Sequence, residues 1–266
     1  MAGPGVEILD LAGPLQVFAR ASEMHTRENP GSPPIYSVEV ATISSGRSLI
    51  ANCGLRISAD RTFREVRGRI DTLLVAGGDA IEQNEINPDA VRWLRRISGR
   101  IRRVGSVCTG AFVLAKTGLL NGKSATTYHG AFGRFATQFP DVQLKRGARF
   151  VENGNLATAG GLSSGIDLAL RVVERYYGRE VARKTAYNME YQGQGWMNPD
   201  SNQLYASPPV STAEHPLCTM CGMGVDPKVA PKSVFKGATY YFCSEDDKKT
   251  FDAAPEKFVS AENKSL

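Results

Sequence analysis

The sequence predicts a three-layer α/β sandwich with a mostly parallel sheet, followed by a small α+β module. Short apolar runs typical of buried strands alternate with segments in which apolar residues recur at three- and four-residue steps, as in amphipathic helices. This alternation defines a predicted domain at residues 1–192. A Pro-, Ser-, Asn- and Gln-rich stretch predicts a linker at 193–212. Residues 213–266 hold three of the five cysteines and form a second predicted domain.

The strands are predicted from composition and length. The segment "YSVEVATIS" at 36–44 is rich in β-branched residues, and "IDTLLVAGGD" at 70–79 is a continuous apolar run that stops at two glycines. A similar run, "RRVGSVC", occupies 102–108. The stretch "ARFVENGNLATAGG" at 148–161 predicts two short strands around an Asn-Gly turn.

Two predicted helices have recognisable ends. The segment "PDAVRWLRRIS" at 88–98 has an Asn-Pro pair at its start, which suits the first turn of a helix. The segment "SSGIDLALRVVERYYG" at 163–178 can be capped by Ser163 or Ser164, and Gly178 ends it. Both segments repeat apolar residues at helical spacing, so each is expected to pack one face on the sheet.

The positive charge of the chain is unevenly distributed. The net charge is +5, and residues 213–266 carry seven Lys and eight Asp or Glu, which leaves +6 on the remainder. Much of this charge lies in "RWLRRISGRIRR" at 92–103. Because Trp93, Leu94 and Ile97 recur at helical spacing and no aromatic residues are interleaved for base stacking, the arginines indicate a solvated helix face. We therefore expect no nucleic-acid partner.

Composition also bears on the cellular compartment. The N-terminus "MAGPGVEILDLAGP" lacks the basic and apolar regions of a signal peptide, and no apolar run is long enough to cross a bilayer. We expect a cytoplasmic protein with no membrane partner. Five unevenly spaced cysteines suit reduced thiols or a metal better than a disulfide framework. Cys53 does not lie at the junction of a predicted strand and a predicted helix, and it is interpreted as a structural cysteine.

Cys108 lies where a predicted strand ends and a predicted helix begins. Ligands of open α/β sheets bind at the carboxyl ends of strands, and a sharp turn there can expose a nucleophile above the sheet. The N-terminus of the following helix would favour the thiolate. A buried structural cysteine is an equally good interpretation of the same pattern. Spacing alone leaves the two alternatives open.

Four ordered motifs resemble the ThiJ/PfpI superfamily of the class I glutamine-amidotransferase-like fold. They are "GVEILDLAGPLQVF", "DTLLVAGG", "CTGAFVLAKTGLLNGKSATT" and "TAGGLSSGIDLALRVVE", and the resemblance covers roughly residues 5–190. The most similar subgroup contains isonitrile hydratases and the amidase-like sensor domains of AraC-type regulators. The resemblance implies a flavodoxin-like three-layer sandwich.

The resemblance also implies roles for individual residues. Cys108 matches the nucleophile, and Asp10 matches the acidic partner that exchanges a proton with it. The backbone N–H groups of Gly78 and Thr109 match donors that stabilise developing negative charge, and Gly77 is expected to line the substrate pocket. The hydroxyl of Thr109 matches a group that assists the nucleophile in isonitrile hydratases. From the sequence alone, Asp10 could instead be the N-cap of the helix that begins near it.

The chain departs from the family pattern at two places. Where relatives carry "TTH", this chain has Tyr128, and His129 comes one residue later. Neighbouring residues of an extended segment face opposite ways, so a simple Cys–His pair is not expected. Tyr128 and His129 are predicted only to line the pocket. The family also has a central strand before the first helix, whereas only four residues precede that motif here. Asp167 matches a family acid and is expected to be structural, through capping and ion pairing.

The C-terminal segment resembles a YHS domain, a module often associated with metal handling. The matching stretches are "CGMGVDP", "FKGATYYFCS" and "PEKF". Cys218 and Cys221 form a C-x-x-C pair, and Cys243 follows an aromatic-rich strand. Asp247 or His215 could complete a tetrahedral site for zinc or copper(I). The alternative is a metal-free module with reduced cysteines in its core.

These observations predict a cysteine-dependent enzyme that adds water to a small isocyanide, without a cofactor at Cys108. One alternative is a ligand- or metal-sensing protein without turnover. Another is an amide hydrolase or a glyoxal-type enzyme, which would share the same nucleophile. A small molecule is the expected substrate. The resemblance further implies a homodimer.

Overall fold

The computed structural model describes residues 1–207, 211–220 and 224–259. The chain forms two compact units, Met1–Ala206 and Ser207–Leu266. The predicted linker is therefore too long at its N-terminal side, because residues 193–206 belong to the first unit. Trp196 anchors them: its ring is buried, and its backbone N–H donates to the Asp167 carboxylate.

The first unit contains seven α-helices among its described residues. They are α1 (Ile8–Glu28), α2 (Asp79–Glu82), α3 (Pro88–Ile97), α4 (Gly110–Lys116), α5 (Phe132–Gln138), α6 (Ser164–Tyr177) and α7 (Arg179–Asn188). Its strands are β1 (Ala41–Thr42), β2 (Ser48–Ile50), β3 (Arg56–Ser58), β4 (Arg61–Thr62), β5 (Thr72–Val75), β6 (Arg103–Ser106), β7 (Ser124–Ala125), β8 (Gln143–Leu144), β9 (Phe150–Asn153) and β10 (Leu156–Ala159).

The main sheet has four strands in the order β5-β6-β10-β9. Strands β5, β6 and β10 run parallel, and β9 pairs antiparallel with β10 through the predicted Asn-Gly turn. The sheet separates two apolar cores, one built around α3, α4 and α5 and the other around α1, α6 and α7. The predicted flavodoxin-like α/β fold with a mostly parallel sheet is confirmed.

The helices follow the sequence pattern closely. In α3 the Asn87 side chain accepts a hydrogen bond from the Asp89 N–H, and Trp93 and Leu94 are buried, as predicted. The start of α6 differs, because Ser163 occupies the N-cap position without a side-chain capping bond. Its hydroxyl instead accepts a hydrogen bond from the guanidinium of Arg149.

The N-terminal residues lie between two strands. The Met1 nitrogen donates to the Leu74 carbonyl (2.6 Å), and the Ala76 N–H donates to the Met1 carbonyl (3.0 Å). On the other side, the Ala2 N–H donates to the Ala41 carbonyl (2.9 Å) and Ala2 bridges Thr42 in parallel. Two residues thus occupy the position where the family resemblance implies a whole strand. The predicted strand at 36–44 is correspondingly reduced to the two residues of β1.

The second unit is a small α+β module. Strands β11 (Lys232–Phe235) and β12 (Ala238–Tyr241) form an antiparallel pair, and α8 (Glu245–Ala253) follows. The Ser244 hydroxyl caps α8 by accepting from the Asp247 N–H. Its core gathers Cys218, Phe242 and Phe251.

Candidate active site

Cys108 lies at a strained turn between β6 and α4. Its φ angle is +57°, a left-handed conformation that non-glycine residues rarely adopt and that costs about 1–3 kcal/mol unless the surroundings impose it. The Cys108 N–H donates to the Gly160 carbonyl (2.9 Å), and the Cys108 carbonyl accepts from the Thr127 hydroxyl (2.8 Å). Cys108 is 6% exposed and is therefore a buried residue.

Glycines bring the surrounding backbone close to this turn. A Cβ atom on Gly110 would lie 2.2 Å from the Val75 carbonyl oxygen, so only glycine lets α4 start this close to β5. A Cβ atom on Gly77 would lie 2.6 Å from the Thr109 hydroxyl and 2.9 Å from an Asp10 oxygen. Gly77 therefore provides the space in which the Thr109 hydroxyl and the Asp10 carboxyl group approach the backbone after β5.

Asp10 is brought to the thiol by the first turn of α1. It is 2% exposed, and its Oδ2 accepts a hydrogen bond from the Gly77 N–H (3.0 Å). Burial raises the pKa of Asp10 from 3.8 to about 7, although hydrogen bonds from Gly77 and from the Cys108 side chain act in the opposite direction. The alternative that Asp10 is a helix cap is wrong, since Glu7 holds the N-cap position.

One of the two predicted backbone donors, the Gly78 N–H, is engaged with a neighbouring side chain. The Gly78 N–H, in a residue with φ of +149°, donates to the Thr109 hydroxyl (3.1 Å), and Thr109 is fully buried. This interaction was not part of the sequence prediction, because it depends on how the two turns after β5 and β6 face each other. The Thr109 hydroxyl thus joins the turn after β5 to the turn that holds Cys108.

Tyr128 and His129 lie in an aromatic group beside the site. The Tyr128 ring covers Gly161, where a Cβ atom would lie 2.7 Å from the ring. The His129 ring contacts Tyr128 (centroids 4.5 Å apart) and Tyr205 (4.6 Å). Burial lowers the pKa of His129, which favours a neutral ring. Tyr205 was missed from the sequence because it lies in the segment predicted as linker.

Asp167 forms a buried ion pair, in line with the structural role expected of it. Its Oδ2 lies 2.5 Å from the Arg149 Nε and accepts from the Tyr191 hydroxyl (3.0 Å), while its Oδ1 accepts from the Trp196 N–H (2.9 Å). These bonds fasten the segment after α7 to the start of α6.

The second unit gathers a possible metal-ligand set. The ligand atoms of Cys218, Cys243 and Asp247 all lie within 4.8 Å of one another, and the Cys243 sulfur is 3.1 Å from Asp247 Oδ2. Cys221 lies outside the described residues. Within the part of the chain that the structure describes, His215 is not in this group. Cys53, predicted to be structural, is exposed in the β2–β3 loop.

The fold and the Cys108 turn define an α/β protein with a thiol and a carboxyl group at the carboxyl ends of parallel strands. The chain belongs to the DJ-1/PfpI family, whose model matches residues 1–175, and a YHS domain model matches residues 219–262. Among the described helices, none has both the length and the apolar character of a membrane span.

Several known proteins are similar to this chain. An isonitrile hydratase from Pseudomonas putida is 30% identical over 188 residues, which cover 71% of this chain and 75% of the relative. The transcriptional regulator CdhR from Pseudomonas aeruginosa is 25% identical over 67% of this chain. The matched region covers half the length of that regulator.

Solved structures agree on the fold. A ThiJ/PfpI family protein from Pseudomonas syringae superposes with a TM-score of 0.61 at 23% identity, covering 73% of this chain and 75% of that one. DJ-1beta from Drosophila melanogaster superposes with a TM-score of 0.59 at 22% identity, covering 72% of this chain and 95% of that one.

Proposed function

We propose that the first unit is a cysteine-dependent enzyme of the isonitrile hydratase type. The observation that carries the proposal is the pairing of Cys108, held at φ +57°, with a buried carboxyl group whose pKa is raised to about 7. Such a group is partly protonated near neutral pH and can donate a proton to a reacting atom. The similarity to the Pseudomonas putida isonitrile hydratase supports this choice of reaction.

In the proposed reaction the Cys108 thiolate attacks the terminal carbon of an isocyanide, and a carbon–sulfur bond forms. Protonated Asp10 delivers a proton to the same carbon, which gives a thioimidate. Water then adds to that carbon, the carbon–sulfur bond breaks, and the nitrogen takes up a proton. The products are an N-substituted formamide and the regenerated thiol. The Thr109 hydroxyl, whose oxygen already accepts from Gly78, keeps its own proton to donate to the polar intermediate.

Turnover of a simple alkyl isocyanide tests this proposal, with formamide release followed by chromatography. Wild-type protein should form the formamide, Cys108→Ala should not, and Cys53→Ala, which removes an exposed thiol, should retain the wild-type rate. The rate should fall as pH rises above about 7, because Asp10 then loses its proton. A protein that binds isocyanides without turnover would instead support the sensing alternative.

We also propose that the second unit binds a divalent metal. Two thiols and a carboxylate within 4.8 Å match the donor types that zinc prefers, whereas a purely soft set would favour copper(I). Cys218, Cys243 and Asp247 would hold the ion, which would cross-link β12, α8 and the preceding loop. Metal analysis of the full chain after dialysis against zinc should give about one ion per chain. That ion should be lost in Cys243→Ser and kept in Cys53→Ser.

A further inference from the structure

Three aromatic rings form a continuous group beside the turn that holds Cys108. The Tyr128 ring meets the His129 ring edge to face, with centroids 4.5 Å apart, and the His129 ring lies 4.6 Å from that of Tyr205. Tyr128 packs partly against the core, whereas His129 is exposed and Tyr205 is 42% exposed. Together these three residues form an aromatic wall, and two of its members present surface to solvent.

The aromatic wall is connected to the Cys108 turn on two sides. The Thr127 hydroxyl donates to the Cys108 carbonyl (2.8 Å), and Tyr128 is the next residue of the chain. On the other side, the Cys108 N–H donates to the Gly160 carbonyl (2.9 Å), and a Cβ atom on the following Gly161 would lie 2.7 Å from the Tyr128 ring. Because each connection spans one residue, Tyr128 lies in the layer next to that turn.

Tyr205 is held at this place by the residues before it. The Tyr205 N–H donates to the Asn202 carbonyl (2.9 Å), and the Asn202 N–H donates to the Gly147 carbonyl (3.0 Å). The side-chain nitrogen of Asn202 would lie 3.1 Å from a Cβ atom on Gly160, the residue whose carbonyl accepts from Cys108. The segment that carries Tyr205 is therefore packed against the backbone of the candidate active site.

A further apolar group lies on the turn after β10. Leu162 follows Gly161, is 38% exposed and has a φ angle of +45°. A left-handed conformation is unfavourable for leucine and persists only where the surrounding structure imposes it, commonly at binding sites. Exposed apolar side chains thus border a site whose reacting groups, Cys108 and Asp10, are buried. Apolar walls around a few polar groups are typical of sites for small molecules.

The shape of an isocyanide relates the aromatic wall to the substrate. The C–N–C unit of a free isocyanide is linear, so the substituent on nitrogen extends away from the Cys108 sulfur when the terminal carbon approaches it. Aromatic rings pair with one another in edge-to-face or offset arrangements, which are stabilised beyond the burial of their area. Burial lowers the pKa of His129, and its neutral ring suits an apolar partner better than an anionic one.

We propose that the aromatic wall selects isocyanides that carry an aromatic substituent, which packs on Tyr205 and His129 while the terminal carbon reaches Cys108. This inference rests on the activity proposed for Cys108 and names its substrate class. Tyr205 is then a specificity residue, because it contacts the part of the substrate that does not react. An aromatic substituent should be preferred about two- to tenfold over a saturated one of similar size.

The test compares benzyl isocyanide with cyclohexylmethyl isocyanide, in which a saturated ring replaces the aromatic one. The kcat/KM of the wild-type full chain should favour the benzyl compound by that factor. Tyr205→Ala should remove the preference, whereas Tyr205→Phe should keep it, because the ring and not the hydroxyl makes the contact. Tyr187→Ala removes an exposed tyrosine from α7 and is the matched control, which should behave as wild type.

A second measurement does not require turnover. N-benzyl iodoacetamide and N-cyclohexylmethyl iodoacetamide each alkylate a thiol with loss of iodide, and mass spectrometry of the Cys108 peptide gives both rates relative to free cysteine. Wild type should favour the benzyl reagent, and Tyr205→Ala should react equally with both. This alkylation result decides where the two assays differ.

The two proposals therefore fail separately. If no isocyanide is turned over but the alkylation preference depends on Tyr205, the hydratase activity is wrong and the aromatic wall remains a binding site for aromatic groups. Equal alkylation of wild type by the two reagents would overturn the inference. A preference that survives unchanged in Tyr205→Ala would overturn it as well.

Discussion

At the scale of single residues, the site depends on a carboxyl group kept in an unfavourable environment. Asp10 is buried, and its pKa is raised to about 7 in the folded protein from the 3.8 of a solvent-exposed aspartate. The folded state therefore binds this proton more tightly than the unfolded state does. It follows that the contribution of Asp10 to stability is fully present below about pH 4 and is lost as pH rises to about 7.

Asp10→Asn should remove this pH dependence. We expect the free energy of unfolding of the variant to exceed that of wild type above pH 7, by on the order of a few kcal/mol, because a shift of about three pKa units is abolished. Denaturant unfolding followed by tryptophan fluorescence at pH 5 and pH 8 measures the effect, since Trp93 and Trp196 both lie in the first unit. Asp141→Asn, at an exposed position, is the control. Equal pH dependence in wild type and Asp10→Asn would contradict the assignment.

We propose that Thr127 is a positioning residue for Cys108. Its hydroxyl donates to the Cys108 carbonyl, so it helps to hold the strained turn. Thr127→Val should slow alkylation of Cys108 by iodoacetamide at pH 7 about five- to tenfold, because the variant leaves that carbonyl without its short bond. Thr127→Ser should restore the rate.

Thr117→Val is the matched control for this prediction. The Thr117 hydroxyl is also buried and donates to a backbone carbonyl, that of Leu114 (2.6 Å), but it lies at the far end of α4. The rate of Cys108 alkylation in Thr117→Val should equal that of wild type. If Thr127→Val also matched wild type across the whole pH profile, Thr127 would have no positioning role.

Sequence patterns singled out two residues of the candidate site, but not the hydrogen bonds that connect the site. Cys108 could be singled out because it ends an apolar run, and Asp10 through the family motif around it. The bond between the Gly78 N–H and the Thr109 hydroxyl could not be predicted, since those residues are 31 apart in the chain and meet only when two turns face each other. The aromatic contact of Tyr205 was hidden for the same reason.

At the scale of secondary-structure elements, the position of α4 against β5 is set by one glycine. Gly110→Ala should destabilise the first unit by about 1–3 kcal/mol, because the new methyl group would meet the Val75 carbonyl and push the helix from the sheet. Gly133→Ala in α5 meets no atom within 4 Å and should stabilise the unit by up to about 1 kcal/mol through helix propensity. Chemical denaturation of both variants provides the measurement. Equal effects of the two substitutions would show that close packing does not explain Gly110.

The helices with a long apolar repeat were predicted correctly. Predictions were weaker for segments whose structure is decided by contacts with distant parts of the chain. The ends of α3 and α6 followed from apolar spacing and from the residues around them. The strand predicted at 36–44 shortened to β1, because a strand is defined by its partners and Met1 and Ala2 pair with only its end. The buried ring of Trp196 holds residues 193–206 in the first unit, although the composition of this segment is typical of a linker.

At the scale of the whole molecule, the two units differ in how much core they can bury. The first has two extensive apolar clusters, whereas the described core of the second is built from Cys218, Phe242 and Phe251 with a few partly buried neighbours. Domains of this small size rarely gain enough stability from burial alone and commonly use a metal or cross-links. A metal bound to the folded state would therefore add directly to the stability of the second unit.

Zinc should accordingly stabilise the second unit without changing the first. We expect saturating zinc to slow hydrogen exchange across residues 232–253 by at least about tenfold, because ligand binding shifts the opening equilibrium of that unit. The tryptophan-monitored unfolding midpoint should stay constant, since both tryptophans belong to the first unit. Asp247→Asn should reduce the zinc effect, while Asp246→Asn, exposed on the same turn of α8, should leave it intact. A zinc effect that survives in Asp247→Asn and in Cys243→Ser would assign the metal to other ligands.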